Sequence, residues 1–123
     1  MLKVQSRKLE TVAVLCLQGE ISIGETDILR NAVQSLSDTS AVILDLARVT
    51  AVDAGGLGVL LELRQQADAK GIRFELMNVT KWVSRVLEIT RLNTVFRITS
   101  KVEFFPGVTH SRRASAAWFA SCA

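Results

Sequence analysis

Residues whose side chains or backbone could do chemistry are concentrated in one short stretch of the chain. Asp45 lies near the end of an apolar run, and Asp53 precedes Gly55, Gly56 and Gly58. An Asp directly before a helix accepts hydrogen bonds from the free N–H groups of its first turn. Glycine is a poor helix former, costing about 0.8–1 kcal/mol relative to Ala, but it leaves the backbone open to close approach. The pattern therefore predicts an Asp-capped helix start against which a partner can lie.

Other kinds of functional site find little support. The glycines lack the Lys and Ser or Thr of a P-loop and the spacing of a dinucleotide-binding fingerprint. His110 is the single histidine and has no Cys, Asp or Glu near it, and Cys16 and Cys122 form no metal or redox motif. Turnover would have to rest on Asp45 and Asp53 alone. We therefore expect no enzymatic activity, no cofactor and no metal.

The composition is that of one globular domain. The chain has 123 residues, of which 49% are hydrophobic and 22% charged, and its net charge is +3. Without a clustered basic face, nucleic acid is not an expected partner. No apolar run approaches the roughly 20 residues that span a bilayer, and no secretory signal precedes the first one. Cys16 lies in an apolar run, which indicates a buried free thiol. We expect a cytoplasmic protein without direct membrane insertion.

Strand and helix patterns alternate along the chain. The predicted elements are an edge strand at 2–7, strands at 11–17, 41–46 and 72–77, helices opening near Ser22, Asp53 and Thr80, and a last strand at about 95–98. The order is β-β-α-β-α-β-α-β, and Gly19 and Glu20 are expected to end the second strand. Such alternation implies parallel strand pairing with helices packed on the sheet. The predicted fold class is a single α/β domain.

Three local features of these elements carry specific expectations. Ser22 and Glu25 have the spacing of a capping box at the start of the first helix. Trp82 stands at helical spacing with apolar neighbours, which favours a core position over a partner contact. Asp45 is expected to pair with a loop N–H or with Arg48, because buried acids are normally paired.

The central motif resembles that of the STAS domain family, which includes the bacterial anti-sigma factor antagonists. The similarity rests on Asp53-Ala54-Gly55-Gly56-Leu57-Gly58, preceded by the apolar segments 42–46 and 49–52, and extends over about residues 2–100. It implies a mixed sheet of four to five strands with helices packed on it. We accordingly expect a STAS-like domain at 1–104. The small, polar residues that follow Pro106 predict a flexible C-terminal tail at 105–123.

The same resemblance implies a partner and a switch. Antagonists of this family bind an anti-sigma factor that is also a serine kinase, which phosphorylates the Ser after the motif Asp. Here that position is Ala54, which has no hydroxyl group. The chain is therefore either permanently in the unphosphorylated, binding-competent state or turned to another binding role. A second departure is Arg91, where the family often has Gly, and it implies a different ending for the third helix.

The resemblance thus implies a non-enzymatic regulatory protein of sigma-factor signalling. Its expected partner is an anti-sigma factor with a serine kinase-type fold, and a homodimer is left open. The expected partner-binding residues are Thr50, Asp53, Ala54, Gly55, Gly56, Leu57 and Gly58. The alternative is a cytoplasmic STAS subunit of an ABC-type lipid transport complex, where the partners are transporter subunits and no phosphorylation is needed.

Overall fold

The structure is a computed structural model that describes residues 1–99. The strands are β1 (Lys3–Leu9), β2 (Val12–Ile21), β3 (Ala41–Val52), β4 (Arg73–Met77) and β5 (Arg97–Thr99), and the helices are α1 (Thr26–Gln34), α2 (Ala54–Ala69) and α3 (Lys81–Ile89). This is the element order that the sequence predicts. The expected domain boundary at 104 and the expected tail at 105–123 lie outside the described residues.

The five strands form one mixed sheet in the order β1-β2-β3-β4-β5. β1 pairs antiparallel with β2, whereas β2, β3, β4 and β5 pair parallel with their neighbours. Because parallel strands end at the same edge of a sheet, the segments that follow β2, β3 and β4 lie along one edge. The predicted functional segment, which joins β3 to α2, is the middle one of these three.

The main core lies between the sheet and the three helices. Its fully buried large side chains include, from the strands and then from the helices, Leu15, Leu44, Leu46, Leu76, Leu29, Leu60, Leu63 and Leu87. A smaller cluster of Val14, Ile43 and Met77 lies on the other face of the sheet. β3 contributes to both clusters, which explains its nearly continuous apolar sequence.

β2 is longer than the sequence predicts. It continues through Gly19 and Glu20 to Ile21, with irregular register against β3 on both sides of that point. Gly19 has φ +112°, and a Cβ there would lie 2.4 Å from the backbone oxygen of Met1. Gly19 therefore does not end β2. It allows the irregular strand to pass close to the backbone of Met1.

The predicted capping box is wrong. α1 begins at Thr26, after a turn of 3-10 helix at Ile23–Glu25, and the Ser22 side chain makes no capping hydrogen bond. The Glu25 carboxylate instead accepts a hydrogen bond from the N–H of Leu2 and lies 3.6 Å from the terminal amino group. The antiparallel strand β1 brings the amino terminus to Glu25, and a local motif cannot foresee that contact.

Two expectations about α3 are also wrong. Trp82 is 61% exposed, because Val83 and Leu87 are the residues that turn into the core. Arg91 ends the helix with φ +61°, the left-handed conformation that Gly adopts without strain. Arg91 therefore adopts the left-handed conformation that a glycine would adopt at this position, and the helix ending is not a different one.

Other local expectations have mixed outcomes. Gly71 follows α2 with φ +72°, as expected of a glycine that ends a helix. Thr80 caps α3 by accepting a hydrogen bond from the N–H of Val83. Cys16 is only half-buried and its sulfur is not free, so the prediction of a buried free thiol is wrong.

Candidate functional site

The start of α2 is held by the carboxylate of Asp53. One oxygen, Oδ1, accepts a hydrogen bond from the N–H of Gly56 at 2.8 Å, which confirms the predicted cap. The other oxygen, Oδ2, accepts from the N–H of Ile23 at 3.1 Å. The N–H of Asp53 in turn donates to the carbonyl of Ile21 at 3.2 Å. Asp53 therefore fastens the helix start to the segment that follows β2.

These contacts keep the Asp53 carboxylate ionised. The N–H of Gly56, followed by that of Ile23, lowers the pKa of Asp53 below the ordinary value of 3.8. Both groups donate to the charged form, and the positive end of the helix dipole favours the same form. The stabilisation is therefore fully present above about pH 3.8 and is lost as pH falls through the lower folded pKa.

Two of the three glycines are required by the chain's own packing. A Cβ on Gly56 would lie 2.0 Å from the backbone oxygen of Ile21, and one on Gly55 would lie 2.7 Å from the Cβ of Ile23. A Cβ on Gly58 would meet nothing within 4 Å. The close approach that the sequence suggests for a partner is thus made internally at Gly55 and Gly56. Only Gly58 leaves its backbone open to solvent.

The predicted partner-binding residues divide into two groups. Thr50, Asp53, Ala54 and Gly58 are exposed, whereas Gly56 and Leu57 are buried and Gly55 is half-buried. The exposed group lies at one helix start and on the last part of β3. The buried group positions that helix against β2 and the core.

Ile23 belongs to the same surface, although the sequence motif does not include it. Its side chain is 76% exposed, although its N–H is bonded to Asp53 and its Cβ lies beside Gly55. The available signal is a lone apolar residue between Ser22 and Gly24, in a segment whose pattern predicts a helix start. We call the five exposed residues Ile23, Thr50, Asp53, Ala54 and Gly58 the α2-start surface.

The hydroxyl of Thr50 and the carboxylate of Asp45 are both hydrogen-bonded within the fold. The hydroxyl of Thr50 donates to the carbonyl of Gly19 at 3.3 Å and so links β3 to β2. Asp45 is buried, where its Oδ1 accepts from the N–H of Ala47 at 3.0 Å and from Nδ2 of Asn78 at 3.2 Å. Asp53 follows Asp45 by eight positions along extended chain, or roughly 25 Å. The two carboxylates therefore do not form an acid–base pair.

An ion pair braces α2 against α1 beyond the α2-start surface. The guanidinium of Arg30 donates to both carboxylate oxygens of Glu62, at 2.7 and 3.1 Å, and to Asp27 at 2.6 Å. This contact raises the pKa of Arg30 and lowers that of Glu62. Both side chains are partly exposed, so water screens the pair. The pair links α1 to α2 at their surface.

Neither a cluster of metal-ligating side chains nor a membrane-spanning helix is found among the residues that the structure describes. Within residues 1–99, no three His, Cys, Asp or Glu side chains come together in a way that could hold a metal ion. Over the same residues, none of the helices is both long and apolar enough to cross a bilayer.

Comparison with known proteins identifies the family. The model of the STAS domain matches residues 3–105, which is most of the chain. The chain belongs to the STAS domain family. A STAS-domain containing protein of Pseudomonas aeruginosa (strain UCBPP-PA14) is 29% identical over 84 residues, covering 68% of this chain and 83% of that protein.

Solved structures share the fold of this STAS domain. An anti-sigma factor antagonist from Mycobacterium paratuberculosis superposes with a TM-score of 0.71 at 20% identity, covering 80% of this chain and 85% of that one. The unphosphorylated anti-sigma factor antagonist SpoIIAA gives 0.69 at 18% identity, covering 88% and 100%. A sulfate transporter family protein from Wolinella succinogenes gives 0.67 at 21% identity, covering 75% and 79%. The predicted mixed-sheet STAS fold is therefore confirmed.

Proposed function

We propose that this STAS domain is a non-enzymatic, cytoplasmic protein-binding module of sigma-factor regulation. It docks an anti-sigma factor with a serine kinase-type fold through the α2-start surface. The observation that carries the proposal is the helix start itself, which is fixed from two sides by Asp53 and displays Ala54 and Gly58 to solvent. Gly55, Gly56 and Leu57 hold this surface in place.

The surface is prepared for binding before a partner arrives. The Asp53 hydrogen bonds and the tight contact of Gly56 with Ile21 already fix the backbone there. A partner then loses little free energy to ordering the site. Small residues at two successive turns let another backbone approach closely, and exposed Ile23 offers apolar area beside them.

Ala54 removes the phosphorylation switch from this surface. It stands at the first position of α2, directly after the capping Asp53, and has no oxygen that could accept a phosphoryl group. The nearest hydroxyl in sequence, on Thr50, donates to the Gly19 carbonyl. We infer that the domain stays competent to bind its partner without a covalent on–off step at this position.

The test is partner capture by the full chain from lysate of its own cells, with wild type, Ala54→Glu and Gln65→Glu side by side. A Glu at position 54 is favourable for the helix because it stands in the first turn, so lost binding is not caused by unfolding. Gln65→Glu places the same charge on an exposed position three turns away on α2. We expect a kinase-fold anti-sigma protein that wild type and Gln65→Glu retain and Ala54→Glu loses. Equal retention by all three would contradict the proposed surface.

The same observation at Ala54 favours one alternative. A STAS subunit of an ABC-type lipid transport complex needs no phosphoacceptor, so the missing hydroxyl is expected there. In the capture experiment this function predicts an ABC ATPase together with membrane subunits. Such a result would replace the anti-sigma factor as the proposed partner. Loss of these proteins with Ala54→Glu would then show that the α2-start surface makes the contact, and their retention would show that another surface does.

A further inference from the structure

A second concave site lies at the opposite edge of the sheet from the α2-start surface. It is a cleft of about 420 Å³ between the C-terminal half of α2 and the amino ends of β4 and β5. Three arginines from three different elements line it: Arg64 from α2, Arg73 from the start of β4 and Arg97 from the start of β5. The volume lies in the range of clefts that hold small molecules.

The charges of this cleft are not balanced internally. Arg73 forms an ion pair with Glu75 at 2.8 Å. Within residues 1–99, the guanidinium groups of Arg64 and Arg97 have no hydrogen bond or ion pair. The one carboxylate that lines the cleft, Asp68, lies on the same helix as Arg64 but makes no ion pair within that part of the chain. Two guanidinium groups that have no partner among residues 1–99 therefore line the same concavity.

The arginine pattern indicates the chemistry of a ligand. A guanidinium offers five donors in a planar fork that matches the oxygens of phosphate or carboxylate. A carboxylate has two oxygens, which one guanidinium can occupy completely, whereas a phosphate-type group has more oxygens and more charge to share between two arginines. The backbone N–H groups of Arg73 and Phe96 are bonded within the fold, so the arginine side chains are the donors that remain.

Two buried aromatic side chains form the floor of the cleft. Phe74 and Phe96 are 6% and 4% exposed, and their ring centroids lie 6.4 Å apart in a tilted pair. Arg73 and Arg97 stand directly beside these two residues in sequence. The backbone that carries both guanidinium groups is therefore fixed by the core, while Arg64 is placed by a helix.

We propose that this cleft binds a small soluble molecule carrying a phosphate-type group, with Arg64 and Arg97 as its main ligands. The site is separate from the α2-start surface, because it lies at the amino ends of β4 and β5. The α2-start surface lies at the opposite edge of the sheet, where the parallel strands β2 and β3 end. Binding here needs no modification of Ala54 and gives the domain a ligand input that is independent of phosphorylation.

The experiment is calorimetric titration of the full chain with sodium pyrophosphate at constant ionic strength. We expect saturable binding that Arg64→Gln and Arg97→Gln each weaken about tenfold, because each removes a charge-assisted contact. Arg85→Gln, an exposed arginine of α3 that does not line the cleft, is the control and changes affinity less than about twofold. Asp68→Asn removes the opposing carboxylate and tightens binding.

Two results would overturn the proposal. One is the absence of saturable heat up to about 10 mM pyrophosphate, a concentration that detects even weak binding. The other is a loss at Arg85→Gln as large as that at Arg64→Gln, which would mean nonspecific charge attraction. Far-ultraviolet circular dichroism of each variant excludes unfolding as the cause. Co-sedimentation with phosphatidic-acid vesicles separates the two sources of phosphate, because Arg64-dependent vesicle binding would assign the site to a lipid headgroup instead of a soluble molecule.

Discussion

α2 and α3 begin in the same way and offer different surfaces. Each follows a buried parallel strand at the same sheet edge, and each is capped by a side chain, Asp53 bonding the N–H of Gly56 and Thr80 bonding that of Val83. The Thr80 cap is neutral and bonds its own helix alone. The Asp53 cap is charged and also bonds the N–H of Ile23 on a neighbouring segment. A cap that joins two segments builds a surface, whereas a cap within one helix only stabilises that helix.

The largest expected effect comes from the contact that fixes α2 in place. Gly56→Ala puts a methyl group where the Ile21 oxygen lies, and backbone cannot move aside cheaply. We expect a loss of about 3 kcal/mol in the free energy of unfolding, at the upper end of overpacking costs. Urea unfolding followed by circular dichroism measures it.

Gly58→Ala is the matched control on the same helix. Its new methyl group meets nothing within 4 Å, so helix propensity should raise stability by about 0.5–1 kcal/mol. Equal destabilisation by the two substitutions would show that the segment containing Ile21 does not press on the start of α2.

The two caps should differ in strength. Asp53→Ala removes two hydrogen bonds and is expected to lower Tm by roughly 4–8 °C, whereas Thr80→Ala removes one bond and lowers it by about half as much. Differential scanning calorimetry of both variants gives the comparison. A larger effect at Thr80 would contradict the role of Asp53 as a link between two segments.

The charge on Asp53 gives the comparison a pH dependence. Because its folded pKa is lowered below 3.8, wild type should exceed Asp53→Asn in stability above about that pH. The difference should shrink as pH falls through the folded pKa. Urea unfolding of both proteins at about pH 7 and pH 2.5 tests this expectation. A constant difference between the two would mean that the charge contributes nothing.

The smallest effect is expected at the start of α3. Trp82 is 61% exposed, so Trp82→Ala should change the free energy of unfolding by less than about 1 kcal/mol. Val83 is the buried neighbour of Trp82, so Val83→Ala should lower the free energy of unfolding clearly more. If Trp82→Ala proved the more damaging of the two, α3 would be rotated about its axis relative to the structure described here.

The sequence predicts features of this fold that depend on neighbours a few positions away. The strand and helix order, the Asp53 and Thr80 caps and the helix-ending Gly71 are all of this kind. Local sequence patterns do not predict contacts between distant segments. Gly56 meets Ile21, thirty-five positions before it, and Glu25 meets the amino terminus. Arg91 shows the same limit, because its left-handed conformation is imposed by the turn it occupies.

The sequence predicts the position of the candidate site but not which of its residues are exposed. The Asp-Ala-Gly-Gly-Leu-Gly segment marks the helix start correctly. Which of its residues face solvent depends on how closely the segment after β2 approaches. That approach takes Gly55 and Gly56 out of the exposed group and adds Ile23, which the sequence marks only as a lone apolar residue between Ser22 and Gly24.

The central claim is that a partner docks on the α2-start surface and not at the start of α3. Amide chemical shifts of the isotope-labelled full chain, recorded while the captured partner is added, test it most directly. We predict that the shifted or broadened signals concentrate at Ile23, Thr50 and Asp53–Gly58, while those of Lys81–Ile89 stay in place. Perturbations centred on Lys81–Ile89, with the signals of Asp53–Gly58 unchanged, would contradict the claim.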